Sequence, residues 1–319
     1  MIYIKFEKGQ GLGNQLWLYA AAISISKKLK CQVHIINYSE FVGKKFIILK
    51  RSRKKNKKIK FIFKERFYYD AKIKHVSHFY DNRFTSIKKN TLLVGYFQDE
   101  RYFLSQNIQF NALIKLKRKR IIRFNNNTCV LNIRGGEYKR HKNLILPRKY
   151  WINSIKKMRI KKVKKFIIVT DDKRYAKKLF PRYGIISDSV KLCFEYLMYC
   201  KNIVVSNSSF SYFPIKIGEK KKNIIAPAYW SRHTNKLGIW ASPSNYYHEW
   251  KWLNNKGKFI DNVDIENNIK NLEKYYQTNF TLLSDFNNLD QIGLRKYIPK
   301  KIRIISKKFL SLLFPLKYG

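Results

Sequence analysis

Acidic residues are scarce in this chain of 319 residues, which has 20 Asp and Glu against 68 Lys and Arg. The formal net charge of +48 favours an anionic partner: nucleic acid, anionic lipid or a phosphorylated substrate. A compositional origin is the alternative, because the abundant Lys, Asn, Ile, Phe and Tyr all have A/T-rich codons. Charge alone therefore selects no partner.

Several signatures of other protein classes are also missing. No C-x-x-C pair occurs among the four cysteines, which argues against a zinc site or a disulfide framework and suits a reducing cytosol. The six His residues lack metal-ligand spacing, and no Asp-x-Asp is present. No apolar run reaches about 18 residues, so no spanning helix is expected. Because a strand pattern begins at Ile2, no signal peptide is expected and the predicted location is cytoplasmic.

A glycine-rich loop spans residues 9–16 between the strand pattern Ile2–Phe6 and a helix pattern reaching about Lys28. Another strand pattern, Gln32–Ile36, follows this helix. Open α/β sheets bind ligands at the carboxyl ends of their strands, where this loop would lie. The glycine spacing differs from G-x-G-x-x-G, so the loop lacks the dinucleotide-binding fingerprint. The alternative is that the glycines only form a tight turn and bind no ligand.

A second polar loop begins where the predicted strand 128–133 ends, with Arg134, Gly135, Gly136 and Glu137. Arginine offers a planar fork of donors suited to phosphate, and glycines let a ligand approach the backbone. Glu137 either holds the guanidinium in place or acts as a base. The alternative is a turn carrying a surface ion pair.

Two more apolar strand patterns end in polar residues. Asp171 and Asp172 follow 166–170, where they either cap a helix or accept hydrogen bonds from a base or sugar. The run Ile203–Val205 is followed by Asn207, Ser208, Ser209 and Ser211 and then by a helix start. This turn predicts an anion site favoured by a helix dipole, with an ordinary helix cap as the alternative.

Strand and helix patterns alternate from residue 128 onward, which predicts a parallel sheet with helices on both faces. The predicted strands are 128–133, 165–170, 202–206 and 223–226, and the predicted helices are 148–158, 172–180, 189–200 and 210–217. A domain boundary is expected in the basic cluster between Lys115 and Arg123, which gives domains 1–122 and 123–319.

The ordered set of motifs from about residue 2 to 231 resembles glycosyltransferase family 11, the α-1,2-fucosyltransferases. The family's G-G-L-G-N-Q is similar to residues 9–15, and its L-x-G-Y-F-Q-S-E is similar to residues 93–100. Its H-x-R-R-G-D-Y aligns with residues 132–138, and its F-S-D-D aligns with 169–172. Its M-x-x-C-x-x-x-I-x-x-N-S-[ST]-F-S and I-A-P-x-x-W match residues 198–211 and 225–230.

The resemblance implies a GT-B-like α/β fold, in which two Rossmann-like domains face across a cleft. The first domain would contact the acceptor and the second the nucleotide sugar. It also implies a metal-independent, inverting transfer of fucose from GDP-fucose to the 2-hydroxyl of a galactoside, without a cofactor. Arg134 and Glu137 are then the candidate catalytic residues. The candidate donor-binding residues are Gly11, Gly13, Asn14, Asn132, Asp171, Asp172, Asn207, Ser208, Ser209 and Ser211.

Departures from the family pattern leave the donor open. The family's His is Asn132 here, its second Arg is Gly135, and its Asp is Glu137. The lost Arg removes a cation near the donor diphosphate, and the His-to-Asn change alters a contact usually made to guanine. Another GDP-linked sugar is therefore the alternative donor.

The partners expected from this interpretation are a GDP-sugar and a glycan acceptor, with a lipid-linked acceptor as one possibility. Apolar and basic residues mix in the segment Lys300–Tyr318, which predicts either a helix on an anionic membrane surface or a helix packed on the protein. Nucleic-acid binding is the alternative from another class. It is disfavoured because no zinc finger, helix-turn-helix or RNP pattern occurs.

Overall fold

The computed structural model describes residues 1–52, 58–70, 75–103, 106–117, 122–140, 144–218, 222–228, 246–247, 249–254, 256–279 and 282–283. These residues form two compact units. The first contains Met1–Lys44, Lys50–Ile108 and the described residues from Tyr275 onward. The second contains Lys45–Leu49 and Gln109–Lys274.

The described part of the chain has short strands and helices of very different length. In chain order the strands are β1 (Ile2–Lys5), β2 (Val33–Ile36), β3 (Ile47–Leu49), β4 (Phe61–Lys64), β5 (Phe67–Asp70), β6 (His75–Ser77), β7 (Thr91–Val94), β8 (Ile114–Leu116), β9 (Thr128–Ile133), β10 (Lys165–Thr170), β11 (Gly184–Ile186), β12 (Asn202–Val205), β13 (Asn223–Pro227), β14 (Lys251–Leu253), β15 (Phe259–Ile260) and β16 (Leu282–Leu283). The helices are α1 (Leu12–Lys28), α2 (Phe110–Leu113), α3 (Arg148–Ile160), α4 (Lys173–Leu179), α5 (Val190–Tyr199), α6 (Tyr212–Ile217) and α7 (Asn262–Asn279).

The first unit is built on a four-stranded parallel sheet in the order β2-β1-β7-β4. Helix α1 connects β1 to β2 and is buried along nearly its whole length, from Leu12 to Ser26. Gln15, fully buried, donates from Nε2 to the Glu40 carbonyl at 2.8 Å and accepts the Val42 N–H at 2.9 Å. A buried amide with both groups paired fixes α1 against the chain that follows β2.

The second unit is built on a seven-stranded sheet in the order β11-β10-β9-β12-β13-β14-β15. All neighbours are parallel except β14 and β15. The first strand of this sheet in chain order, β9, lies inside it. The chain first adds β10 and β11 on one side of β9, then returns to add β12, β13 and β14 on the other. This is the strand order of a doubly wound α/β sheet.

The core of this sheet is dense and apolar. All six residues of β9 and all four of β12 are buried, as expected for central parallel strands. Trp151 and Met158 of α3 pack in one cluster with Leu131 of β9 and Ile168 of β10.

The α/β class with parallel sheets is confirmed in both units. The predicted bounds of β9 and β10 match the observed ones, and α3 runs on from the predicted residue 158 to Ile160. Strands β11, β14 and β15 of this sheet were not predicted from the sequence. The arrangement of two domains that face each other across a cleft stays a prediction.

The compact units do not follow the expected division into 1–122 and 123–319. They separate after Ile108, because β8 pairs antiparallel with β3 and both belong to the second unit. The described residues from Tyr275 belong to the first unit, where β16 pairs with β5. The acceptor and nucleotide-sugar roles of the two units stay predictions.

Within the described ranges, no helix has the length and apolar character needed to cross a bilayer. The segment Lys300–Tyr318, for which a membrane-surface or packed helix is predicted, lies outside the described residues.

Candidate functional site

The candidate site in the second unit lies where the strand order of the sheet reverses. Strands β9 and β12 are adjacent and parallel, with Asn132 opposite Val205, and β10 flanks β9 with Val169 opposite Asn132. The loops that leave β9, β10 and β12 therefore start at one edge of the sheet. In open α/β sheets, the crevice outside the carboxyl ends at such a reversal is where ligands bind.

Arg134, the first residue after β9, is held by two carboxylates and an aromatic ring. Its Nη1 lies 2.8 Å from Asp171 Oδ2, and its Nη2 donates to Glu137 Oε1 at 3.3 Å. The guanidinium lies 5.0 Å from the centroid of the Tyr138 ring. Its Nε is buried and has no hydrogen-bond partner among the described residues. These contacts fix the orientation of the guanidinium, whose planar fork of donors is suited to a phosphate.

Asp171 orients the loop as well as the arginine, because its Oδ1 accepts the Gly135 N–H at 2.9 Å. The two glycines lie directly on the aspartates. A Cβ at Gly135 would lie 2.7 Å from Asp172 Cβ, and one at Gly136 would lie 2.4 Å from Asp171 Oδ2. Gly136 also has a φ of +20°. Close packing against the two aspartates therefore explains why both positions are glycine. The sequence analysis instead explained them by the close approach of a ligand.

Asp172 caps the N-terminus of α4. A helix cap was one of the two alternatives that the sequence left for this residue. Its Oδ1 accepts the Tyr175 N–H at 2.9 Å, and its Oδ2 pairs with Lys139. Burial acts to raise the pKa of Asp172, but the hydrogen bonds from Lys139 and from the Tyr175 N–H outweigh it. The pKa therefore lies below its ordinary value. Lys139 is thus a second cation of this loop, which sequence analysis did not identify.

The loops after β9 and β12 are joined by Tyr138 and Asn207. The Tyr138 hydroxyl donates to the Asn207 carbonyl at 3.0 Å, and burial raises the pKa of this phenol, which keeps it a donor. Asn207 Nδ2 donates to the Leu144 carbonyl at 3.0 Å. Its Oδ1 is buried and unpaired among the described residues, so one acceptor remains for a ligand or water.

Asn132 lies inside the sheet and contacts the loop after β12. It is 2% exposed, and its Oδ1 accepts the Ser206 hydroxyl at 3.5 Å. Its carbonyl accepts the Ser206 N–H at 3.1 Å. Asn132 therefore supports the turn from within the sheet, and its predicted contact with the donor base stays a prediction.

The serines after β12 stabilise their own turn. The Ser208 hydroxyl accepts the Phe210 N–H at 3.4 Å, and the Ser211 hydroxyl donates to the Ser208 carbonyl at 2.9 Å. Ser209 begins a single turn of 3-10 helix that precedes α6, which has six residues. Ser208 therefore caps the 3-10 turn, whereas no side chain caps α6 at Ser211, and the predicted anion site stays a prediction. Direct donor contacts by these serines stay a prediction.

The glycine loop of the first unit begins α1 with an uncapped N-terminus. Gly11 is the N-cap residue, no side chain caps it, and the first turn contains no acidic residue. Nothing lies within 4 Å of a Cβ added at Gly11, whereas Gly13 is buried. Asn14 Oδ1 accepts the Gln98 Nε2 amide at 2.7 Å. The loop therefore combines open space with positioned amides, and its predicted donor contacts stay a prediction.

The described residues contain no group of three or more His, Cys, Asp or Glu side chains arranged to hold a metal ion.

Comparison with known proteins gives remote relatives. No family model matches the chain. A curated relative, the O-antigen biosynthesis glycosyltransferase WbnK of Escherichia coli, is 24% identical over 71% of this chain and 94% of its own length.

Two solved structures align with this chain at low identity and with TM-scores below 0.5. The α-1,6-fucosyltransferase NodZ soaked with GDP-fucose covers 68% of this chain and 92% of its own, with 12% identity and a TM-score of 0.37. The E. coli heptosyltransferase WaaC with ADP covers 86% of this chain and 100% of its own, with 10% identity and a TM-score of 0.45.

Proposed function

We propose that this protein is a glycosyltransferase that transfers a sugar from a sugar nucleotide to a bacterial surface glycan. The observation that carries the proposal is Arg134, oriented by Asp171 at the reversal point of a doubly wound sheet. The motif series that resembles family 11 and the remote likeness to an O-antigen glycosyltransferase support the same activity class.

Sugar transfer requires stabilisation of the departing diphosphate, and two cations of the β9 loop are suited to it. Arg134 and Lys139 pair with the consecutive aspartates Asp171 and Asp172, so both cations are held at the end of β10. Such preorganised donors stabilise developing charge without reorganisation during the reaction. We propose that they bind the diphosphate and that no metal ion is needed.

Glu137 is the candidate for the second catalytic role. Its side chain is 60% exposed and lies 3.3 Å from Arg134, so it is accessible to an acceptor hydroxyl. It either removes the acceptor proton as a general base or orients Arg134. In both roles, inversion at the anomeric carbon proceeds by a single displacement that requires no covalent nucleophile.

GDP-fucose is the proposed donor and the 2-hydroxyl of a galactoside the proposed acceptor, because the motifs resemble those of α-1,2-fucosyltransferases. Another GDP-linked sugar is the alternative. It is favoured by the buried Asn132, which bonds to Ser206 where the family has a His.

An Arg in place of Gly135 would collide with Asp172 and Tyr175, so Lys139 is the proposed replacement for the family's second cation.

We further propose that the protein acts in the cytoplasm, with attachment to the inner membrane face through its cationic C-terminal segment. A glycan acceptor on a lipid diphosphate would bring the acceptor to the same surface. The high net charge of +48 supports attraction to anionic lipid.

A donor panel tests the proposed activity. Purified protein is incubated with GDP-fucose, GDP-mannose, UDP-galactose and ADP-heptose and with galactoside acceptors, and products are followed by nucleotide release and mass spectrometry. We expect turnover with a GDP-sugar, at a rate that EDTA leaves nearly unchanged. No turnover with any donor contradicts the glycosyltransferase proposal, whereas loss in EDTA that Mn²⁺ restores contradicts metal independence alone.

A further inference from the structure

We propose that Glu65 is a positioning residue for the glycine loop and acts on Asn14 through Gln98. This inference rests on the proposed function, in which Asn14 contacts the sugar nucleotide. Glu65 lies between β4 and β5 in a basic stretch of the sequence, and no motif of the chain points to it.

The Glu65 carboxylate is buried and receives several donors. It is 3% exposed, and its Oε2 accepts the N–H groups of Tyr96 and Phe97 at 2.7 and 2.8 Å. Its Oε1 accepts the Tyr102 hydroxyl at 3.3 Å and lies 3.5 Å from His78 Nδ1. A buried carboxylate is costly unless it is hydrogen-bonded in this way, so these donors fix the side chain in one orientation.

The turn that Glu65 holds has an unusual backbone. Gly95 has a φ of +150°, and a Cβ added to it would lie 2.5 Å from Glu65 Cβ. Phe97, which is fully buried, has a φ of +52°, in the left-handed region that side chains other than glycine rarely adopt. Such conformations persist only where the surroundings enforce them, and they are found preferentially at functional sites. Two hydrogen bonds to one carboxylate supply that enforcement here.

The constrained turn leads directly to Gln98. Gln98 Nε2 donates to Asn14 Oδ1 at 2.7 Å, and Asn14 lies in the first turn of α1. A connected series of contacts thus runs from Glu65 through the backbone of residues 96 and 97 to Gln98 and Asn14. Loss of the Glu65 carboxylate releases the turn and with it the orientation of the Asn14 amide.

Kinetic coupling tests the functional part of the inference. The KM is measured for GDP-fucose or, if another donor of the panel is turned over, for that donor. We expect it to rise about tenfold in Glu65→Ala and in Gln98→Ala, because each variant loses one hydrogen bond that positions Asn14. Glu65→Gln keeps an acceptor for the two N–H groups and should stay within about threefold of wild type. Because both alanine variants act on one contact, the double variant should resemble either single one.

The matched control is Ser26→Ala, which removes another buried hydrogen bond of the same unit, donated by the Ser26 hydroxyl to the Ile23 carbonyl. It should leave the KM unchanged even if the protein becomes less stable. A merely structural role for Glu65 lowers the folded fraction and hence kcat, but not the KM. Additive effects of Glu65→Ala and Gln98→Ala on the KM contradict the inference.

Hydrogen exchange tests the structural part independently of activity. In Glu65→Ala, amides of a peptide covering residues 9–16 should exchange at least about tenfold faster than in wild type, because the constraint on Asn14 is lost. Ser26→Ala should leave them protected. Unchanged exchange in Glu65→Ala contradicts this inference alone. A wild-type protein that uses no sugar nucleotide instead contradicts the proposed function, and with it the donor role of Asn14.

Discussion

Arg134 and the carboxylates around it show how this chain orients a cation at the residue scale. Asp171 contacts both the Arg134 guanidinium and the Gly135 N–H, so one side chain fixes the arginine and the loop that carries it. Asp172, the next residue, pairs with Lys139 and caps α4. The orientation of both cations therefore depends on the end of β10.

Gly136 is the position of this loop at which a side chain is least tolerated. Its φ is +20°, and an added Cβ would lie 2.4 Å from Asp171 Oδ2. Gly136→Ala should lower the free energy of unfolding by about 1–3 kcal/mol through backbone strain and displacement of Asp171. Urea denaturation measures the change.

Gly184→Ala is the matched control, since nothing lies within 4 Å of a Cβ at this position and the residue is in the same unit. It should stay within about 0.5 kcal/mol of wild type. Equal effects of the two substitutions would mean that the contact between Gly136 and Asp171 is unimportant.

Candidate site residues were predictable from sequence where they directly follow an apolar strand. Arg134 and Asp171 do so, and Asn207 comes two residues after β12. Parallel pairing then brings the ends of these strands to one edge of the sheet. Lys139 and Glu65 were not predictable, because each is one charged residue in a basic neighbourhood. Their partners, Asp172 and the turn at residues 95–97, are distant in sequence, so no local pattern marks them.

At the element scale, strands of four to six residues were easier to predict than strands of two or three. The apolar runs of β9 and β10 are bounded by polar residues and gave the observed limits. Strand β11 has three residues, and β15 has two. Strands this short carry no alternation, and their pairing with a neighbour rather than their sequence defines them.

The N-terminus of α4 gives a pH-dependent prediction. The pKa of Asp172 is lowered in the folded protein, so its charge contributes stability above the ordinary pKa, and that contribution is lost as pH falls through the folded pKa. Asp172→Asn keeps the cap and removes the charge. Because Lys139 is half exposed, the variant should lose only about 1 kcal/mol of unfolding free energy near pH 7.

This difference between wild type and Asp172→Asn should shrink as the pH falls below the ordinary carboxyl pKa, because the carboxyl is then protonated first in the unfolded and at lower pH also in the folded state. Urea denaturation at several pH values provides the measurement, with the exposed Asp188→Asn as the control. A difference that is the same at pH 3 and pH 7 would show that the charge of Asp172 makes no contribution.

At the scale of the whole molecule, the net charge of +48 and the cationic segment Lys300–Gly319 predict binding to anionic membranes. Each cation near such a surface can add up to about 1 kcal/mol. Deleting the segment should reduce sedimentation with phosphatidylglycerol liposomes, while activity on a soluble acceptor persists. Phosphatidylcholine liposomes are the control. Undiminished binding, or unfolding of the truncated protein, contradicts a membrane role for the segment.

The central claim is that this chain uses a sugar nucleotide through Arg134, and one measurement tests it most directly. Nucleotide release from GDP-fucose and the other panel donors is compared for wild type, Arg134→Ala and Arg148→Ala. The control variant, Arg148→Ala, removes an exposed arginine at the start of α3. Loss of the oriented guanidinium should cost roughly 2–4 kcal/mol of transition-state stabilisation, which lowers turnover about 30- to 1,000-fold. Arg148→Ala should match wild type. Near-normal turnover by a folded Arg134→Ala protein, or no release by wild type from any donor, would contradict the account.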